Sequence, residues 1–343
     1  PDEIRFNIAG AAPHTINVLS ALPSITDSVF IDGWSEPDWT LAPIIELNGT
    51  GAGATDGLLL SGTGSDGSMI RGVVINRFAL SGIGIDNSDN NTIQGNYIGS
   101  DVNGLLDRGN TSQGIALFNG ASNNLIGGTT VGQGNLISGN DANGINFTGV
   151  TTTGNTVVGN IIGLMASGTA SLGNTFVGVA IAQGANGNTI GGSVAGARNI
   201  ISGNAQYGIR IVDTGTNNNV VRGNYVGTNV AGTAAIGNAN DGIRLESAGT
   251  LNGTIIGGTN AGEGNVISGN AGDGIELRDG VTNVTIAGNV IGLNASGTAS
   301  VSNAARGVYV LDSNNNTIGG GTAAARNVIS GNVSEGVLLS GAG

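Results

Sequence analysis

One phrase keeps returning along this chain, and its spacing limits the fold more than any other property. N-[LIV]-I-S-G-N occupies residues 135–140, 199–204, 265–270 and 327–332, at offsets of 64, 66 and 62 residues. G-N-x-[IV]-G starts at Gly95, Gly159, Gly223 and Gly288, and [TLI]-I-G-G at Leu125, Thr189, Ile255 and Thr317, with the same long period. Self-similarity at tens of residues marks a solenoid, propeller or array. The long period also splits. G-[IV]-x-[LIVF] starts at Gly114, Gly144, Gly178, Gly208, Gly242, Gly274, Gly307 and Gly336, 29 to 34 residues apart. Each interval holds three strand-like pieces and one loop. Residues 274–306 read GIELRDG, VTIAGN, NVIGLN and a loop ASGTASVSNAAR; in the next interval the loop, GTAAAR, falls at a different corner.

Within the pieces, apolar residues alternate over four to six positions, which is the period of a strand. Ile, Val and Thr fill the strand positions, and Gly and Asn close each piece because both tolerate the left-handed backbone of a tight corner. A lone coil cannot bury its inward side chains, whereas stacking puts each strand ~4.8 Å from its copy and builds a continuous core. These patterns predict an all-β chain: a single parallel β-helix of about 11 coils with three strands per coil, a two-coil repeat of about 64 residues and a length of roughly 50 Å. Inward aliphatic stacks and hydrogen-bonded asparagine ladders at the corners should hold it together. A propeller would show aromatic blade signatures, and a leucine-rich repeat would show a leucine scaffold; neither is present.

Composition agrees. Glycine accounts for 65 of 343 residues, charged residues for 10% and aromatics for 3%, which is far from the make-up of a usual globular enzyme. Cysteine is absent, which removes disulfides, thiolate metal sites and a cysteine nucleophile. All 11 basic residues are arginine, and the net charge of -12 opposes nucleic-acid binding. No apolar run approaches the ~20 residues of a membrane span. All five prolines, Trp34, Trp39 and His14 fall within the first 56 residues. This divides the chain into an N-terminal capping region, 1–56, and a repetitive β-helix, 57–343. The start at Pro1 suits a processed secreted protein or an excised piece. The C-terminal GVLLSGAG carries no polar cap, so end-to-end stacking with another copy, or continuation into further domains of the same chain, is expected there.

The phrases NTIGG, ARNVISGN and GNYIG, with ITDSVFIDGWSEP and PIIELNGTGAG near the N-terminus, closely resemble one family. It comprises large secreted bacterial right-handed parallel β-helix repeat proteins with a pectate-lyase-like superfamily fold. The resemblance runs from about Ile4 to the C-terminus. It implies right-handed coiling and an extracellular or cell-surface location, and little about activity. Enzymes of that superfamily act on acidic polysaccharides, and each needs recognisable residues. A hydrolase of the galacturonase type needs aspartates with a histidine, but His14 is the only histidine. A calcium-dependent lyase needs carboxylates and a base; lysine is absent, and arginine is a poor base because its pKa exceeds ~12. An Asp-Pro-His signature like that of alginate epimerases is also missing. The main expectation is therefore a non-catalytic structural module: a stalk, fibre, surface-layer or adhesin element. The alternative is a polysaccharide-binding or -cleaving, lyase-like enzyme that uses a charged face on coils 6–9.

That face comes from aligning the G-[IV] strands. The first outward position runs Ala116, Asn146, Ala180, Arg210, Arg244, Glu276, Tyr309, Leu338, and the second runs Phe118, Thr148, Ala182, Val212, Glu246, Arg278, Leu311. The residue before the glycine gives Asp241, Asp273 and Arg306. In one interpretation, Arg210, Arg244, Glu246, Asp273, Glu276, Arg278 and Tyr309 form a shallow groove, with Arg244, Arg278 and Tyr309 gripping an acidic sugar. In the other, Arg244 pairs with Glu276 and Glu246 with Arg278 across neighbouring coils, each pair worth about 0.2–1 kcal/mol. Trp34 and Trp39, in the loop SEPDW, either stack on sugar rings or plug the end of the core. No cofactor or catalytic residue is assigned. Structural calcium is left open at Asp86 with Asp89, or at Asp101, Asn103 and Asp107; the later equivalents of Asp101 are Met165, Asn229 and Asn294, so no calcium array exists.

Overall fold

The structure is a computed structural model that describes residues 1–341; residues 342 and 343 of the expected repetitive region lie outside the described residues. Successive coils contribute parallel strands to three sheets. The first sheet has eleven strands, from Asp2–Arg5 to Thr317–Ile318, and the second has eleven, from His14–Asn17 to Val328–Ile329. The third has ten, from Leu58–Ser61 to Val337–Ser340. Each strand pairs with the equivalent strand of the coils before and after it, as in Ile243↔Ile275 and Ile275↔Val308. This is the parallel solenoid of about 11 turns that the repeat predicts. Residues 1–56 supply strands to the first and second sheets only, with Ile25 making an isolated bridge to Leu60 at the start of the third. No helix among the described residues is long and apolar enough to cross a membrane.

Strand periodicity decides what is inside. In Ile115–Phe118 the first and third side chains are buried and the second and fourth face outward, a pattern that recurs in Ile145–Thr148, Ile209–Val212 and Ile243–Glu246. The inward residues stack into columns: Ile115, Ile145, Val179, Ile209, Ile243 and Ile275 are all fully buried. Burying each such side chain is worth about 1.5–3 kcal/mol, so the core is a sum of similar contributions along the axis.

The corners are held by asparagine. Between the first and second sheets, Asn96, Asn135, Asn160, Asn199, Asn224, Asn265, Asn289 and Asn327 form an unbroken ladder, each Nδ2 donating to the next Oδ1 at 2.9–3.1 Å. A second ladder runs from Asn110 through Asn140, Asn174, Asn204, Asn238, Asn270 and Asn303 to Asn332 between the second and third sheets. Most of these amides also donate to a backbone carbonyl, as Asn135 does to Ile93 O at 2.8 Å. The buried polar column is thereby satisfied, which is the condition under which it stabilises. The backbone must bend sharply beside these ladders. Gly127 has φ +95°, and a Cβ there would lie 1.9 Å from Val158 O, so no other residue fits.

The loops alternate between two corners, as the repeat requires. In one set of coils a loop closed by a Leu164↔Ser171 or Leu293↔Ser300 bridge separates the second and third sheets. In the other set a short turn such as Ala195–Ala197 separates the first and second. A third ladder, between the third and first sheets, is incomplete. It runs Asn91, Asn124, Asn155, Asn188, Asn219 and then meets Thr254 and Val284. At the same corner the strand Leu251–Asn252 pairs with Val281–Thr282 in a small extra sheet. The irregular corner belongs to the coils that carry the charged face.

Candidate functional site

The third sheet brings the charged residues together. Arg210, Arg244, Glu276 and Tyr309 occupy equivalent outward positions in four consecutive strands, and Glu246 aligns with Arg278 two residues further on. Adjacent strands are ~4.8 Å apart, so side chains from neighbouring coils must interact.

Arg244 lies at the centre. It donates from Nε and Nη2 to Glu246 Oε2 at 2.8 and 2.6 Å, and from Nη1 to the Tyr207 hydroxyl at 3.0 Å. The same Nη1 lies 2.9 Å from Glu276 Oε2 and 3.7 Å from Asp241 Oδ2. Arg210 binds the other oxygen of Glu246. Burial works against ionisation of Glu246, yet the hydrogen bonds from Arg210 and Arg244 hold its carboxyl below the usual range. For Arg244, burial is outweighed by Glu246 and Glu276, which raise its guanidinium above its ordinary value. The ring of Tyr207 packs under both arginines.

Beneath these cations lies a carboxyl cluster. Asp241, Asp273 and Glu276 are all buried. Asp241 Oδ1 accepts the backbone N–H of Asp273 at 2.8 Å, and Asp273 Oδ1 accepts that of Arg306 at 2.7 Å. Glu276 adjoins Asp241 and competes with it for a proton. Burial is the largest influence on Asp241, and the negative charges of Glu276 and Asp273 add to it, pushing its pKa from the usual 3.8 to about 7. Asp273 is raised too, by burial first and by Glu276, against the pull of the Arg306 N–H and guanidinium. Asp241 is therefore about half protonated at neutral pH, in a cluster of three adjoining carboxyls.

The expected pairing of Arg244 with Glu276 is present, whereas Glu246 is taken by Arg210 and Arg244. Arg278 turns instead to Asp279 at 2.8 Å and to Glu276 at 3.7 Å. Tyr309 lies under Arg306, 4.2 Å from guanidinium to ring centroid. Trp34 and Trp39 are not part of this assembly. Their rings stand 5.1 Å apart at the corner after Val29–Asp32, where Trp34 occupies the space that side chains at Gly72 and Gly95 would fill. Tyr207 is the member that sequence alignment passes over, although it holds the same place before the glycine as Asp241 and Asp273. The loop aspartates are occupied: Asp101 accepts from the Leu105 and Leu106 N–H groups and from Asn103, and Asp89 accepts from Ser122 N–H. Among the described residues no group of three or more His, Asp or Glu could hold a metal ion.

On the N-terminal side of the cluster the face continues as a groove of about 330 Å³, lined by Gln113, Asn143, Asn146, Phe176, Gln206 and Arg210 among others. Phe176 is 44% exposed within it. Sequence alignment of the strand phrase alone does not reach this residue, which lies ahead of the strand Val179–Ala182.

No protein-family model matches the chain, and no curated protein matches it in sequence. Solved structures share its fold. The Dettilon tailspike protein gp208 superposes with a TM-score of 0.52 at 16% identity, covering 95% of this chain and 61% of the tailspike, so the chain spans about three fifths of that protein's length. A mutant of the periplasmic alginate epimerase AlgG gives 0.45 at 14% identity, covering 96% and 77%. The A-module of the Azotobacter vinelandii mannuronan C-5 epimerase AlgE4 gives 0.44 at 12%, covering 95% and 87%. The expectation of a non-catalytic stalk or fibre is corrected on these grounds. The structures that superpose on this chain include tailspikes, alginate epimerases and a glucanase. Stacking of successive coils buries Asp241, Asp273 and Glu276 side by side with no histidine among them, which the one-dimensional spacing of these residues does not convey. The chain is a parallel β-solenoid of about 11 turns, a fold it shares with the tailspike protein.

Proposed function

We propose that the chain binds a polysaccharide along the third-sheet face of coils 6–9 and hydrolyses it, outside the cytoplasm. The observation that carries this reading is the buried trio of Asp241, Asp273 and Glu276, in which Asp241 titrates near pH 7. Glycoside hydrolysis needs one carboxylic acid to protonate the leaving oxygen and one carboxylate to act on the opposite side. Asp241 is the acid: it gives its proton to the glycosidic oxygen as the bond to the anomeric carbon breaks. Water adds to that carbon and releases its proton to a second carboxylate of the face. Glu276 and Arg244 keep the acid oriented between them.

The lyase form of the alternative has less support. Elimination needs a base to remove a carbon-bound proton, and the arginine best placed for it, Arg244, is held in its charged form by Glu246 and Glu276. The fold of the tailspike and epimerase structures is consistent with a polysaccharide partner. The test is product analysis on a panel of bacterial surface polysaccharides. Hydrolysis releases reducing ends without an unsaturated, ultraviolet-absorbing product, and Asp241→Asn abolishes release while leaving binding intact. An unsaturated product, or full activity in Asp241→Asn, refutes the mechanism.

A further inference from the structure

The proposed face does not have the electrostatics of a site for acidic sugars. Each arginine on it already has a carboxylate partner: Arg210 and Arg244 share Glu246, Arg244 also holds Glu276, Arg278 holds Asp279, and Arg306 holds Asp273. A uronate arriving here would have to displace one of these carboxylates. It would also lie beside Asp273 and Glu276, on a chain whose net charge is -12. Like charge next to a cluster that already forces a proton onto Asp241 would raise the cost further.

The adjoining groove has the opposite character. Its lining is uncharged apart from the neutralised Arg210: the amides of Gln113, Asn143, Asn146 and Gln206 stand with Phe176 over a floor of Ala and Val side chains. The amides are fixed, because Gln113 Oε1 accepts the Asn143 N–H at 2.8 Å and Asn143 Oδ1 accepts the Val177 N–H at 3.1 Å. Phe176 is anchored through its backbone to Ala142 O at 3.1 Å and by Gln206 N–H at 2.9 Å, so its exposed ring is held on the groove wall. An exposed flat ring among amides matches a pyranose, whose C–H face packs on the aromatic ring while its hydroxyls bond to the amides. The groove lies two coils before Asp241, about 10 Å along the axis at ~4.8 Å per coil. An extended sugar chain running along the axis would pass through both.

We infer that the groove at Phe176 is a subsite for an uncharged sugar ring, and that the glycan taken by this face is neutral over this stretch. This rests on the reading of the face as a glycan site. The test is affinity electrophoresis of the full chain through gels containing neutral bacterial O-polysaccharides, uronate-containing capsular polysaccharides, and the same capsular polymers after chemical reduction of their carboxyl groups. Phe176→Ala and Phe176→Tyr are run beside the wild type, with melting curves showing that both fold. The expected result is retention by neutral or carboxyl-reduced polymers that is insensitive to salt. Phe176→Ala should weaken it about tenfold or more and Phe176→Tyr should preserve it. Retention confined to unreduced uronate polymers, or neutral binding unchanged in Phe176→Ala, overturns the inference. If uronate polymers are cleaved in an Asp241-dependent way, hydrolysis stands and the neutral subsite falls. If neutral polymers bind through Phe176 but no polymer is cleaved, the subsite stands and hydrolysis falls. Binding to none of them sinks both.

Discussion

Replacing Asp241 by asparagine should make the protein more stable in alkaline solution. In the folded chain Asp241 titrates at about 7 instead of 3.8. Between those values the folded state holds a proton that the unfolded state has released, so the stability contributed by this group is fully present below pH 3.8 and is lost as pH rises through 7. The rise in pKa corresponds to at most about 4 kcal/mol. The asparagine keeps what the aspartic acid supplies: its Oδ1 can accept the Asp273 N–H, and its Nδ2 can donate to Glu276. It cannot take on the charge that the site disfavours. With 343 residues and an unfolding entropy of ~2.1 cal/mol/K per residue, ~4 kcal/mol moves the thermal midpoint by about 5 °C. Melting curves of wild type and Asp241→Asn between pH 4 and 8.5 should therefore nearly coincide at the acid end and diverge by up to about 5 °C, variant above wild type, at the alkaline end. A difference that stays constant with pH, or a variant less stable at pH 8.5, would show that Asp241 is not a strained acid.

Four further outcomes follow from the same structure. If Asp241 is the acid, the rate of glycan cleavage falls as pH rises through about 7, and a rate that keeps climbing to pH 9 argues against it. Asn204→Ala removes the oxygen that accepts the Asn174 N–H and Nδ2 at 3.3 and 2.9 Å; two orphaned buried donors cost about 2–5 kcal/mol, so the midpoint should drop by several degrees while that of Asn314→Ala, on the surface, stays put. Thr254 stands at the break in the third ladder, and its buried Oγ1 has no hydrogen-bond partner among the described residues; Thr254→Asn should extend the ladder from Asn219 and add about 1 kcal/mol, seen as a small rise in midpoint, and a fall would mean the corner cannot admit the amide. Since Asp101 and Asp89 are already satisfied by backbone N–H groups, chelation with EDTA should leave the melting temperature unchanged, and a clear drop would place calcium in a loop.

The fold was legible because a solenoid converts sequence period into spatial columns. Once Gly242 and Gly274 are recognised as the same point on successive coils, Arg244 must sit beside Glu276, and it does. The partners chosen by long side chains were not legible. Glu246 faces Arg278 in register yet bonds to Arg210 and Arg244, which reach it from the preceding strand and from its own. Sequence places Cα atoms, but a flexible guanidinium settles where it loses least hydration, and Arg278 finds Asp279 on its own chain. Trp34 shows the same limit from the other side. Its size and polar surroundings suggest a ligand platform, but the space it occupies depends on the absence of side chains at Gly72 and Gly95, distant in sequence.

The same geometry explains how a chain with so few charged residues can still build a reactive cluster. The place before the strand glycine is structural first: Gln113, Asn143, Asp241 and Asp273 each use a side-chain oxygen to accept the backbone N–H of the next coil. An amide does this at no electrostatic cost. Two consecutive aspartates in that column, with Glu276 two residues beyond Gly274, do the same work while crowding three carboxyls into a buried space. Burial and mutual repulsion then keep one proton in place near neutral pH. Asp56, before Gly57, does this work alone by accepting the Ser81 N–H at 2.8 Å, whereas Asp241 and Asp273 are adjacent in the column and are followed by Arg306, whose N–H and guanidinium bind Asp273, and by Glu335. The structural requirement alone is met in the earlier coils by one acid, Asp56, and by the amides of Gln113 and Asn143, with no second acid beside them. The adjacent pair of acids beside Glu276 at coils 7 and 8, where the third ladder also lapses, is what a solenoid would show if this stretch of its face were given over to chemistry and the rest to holding it in register.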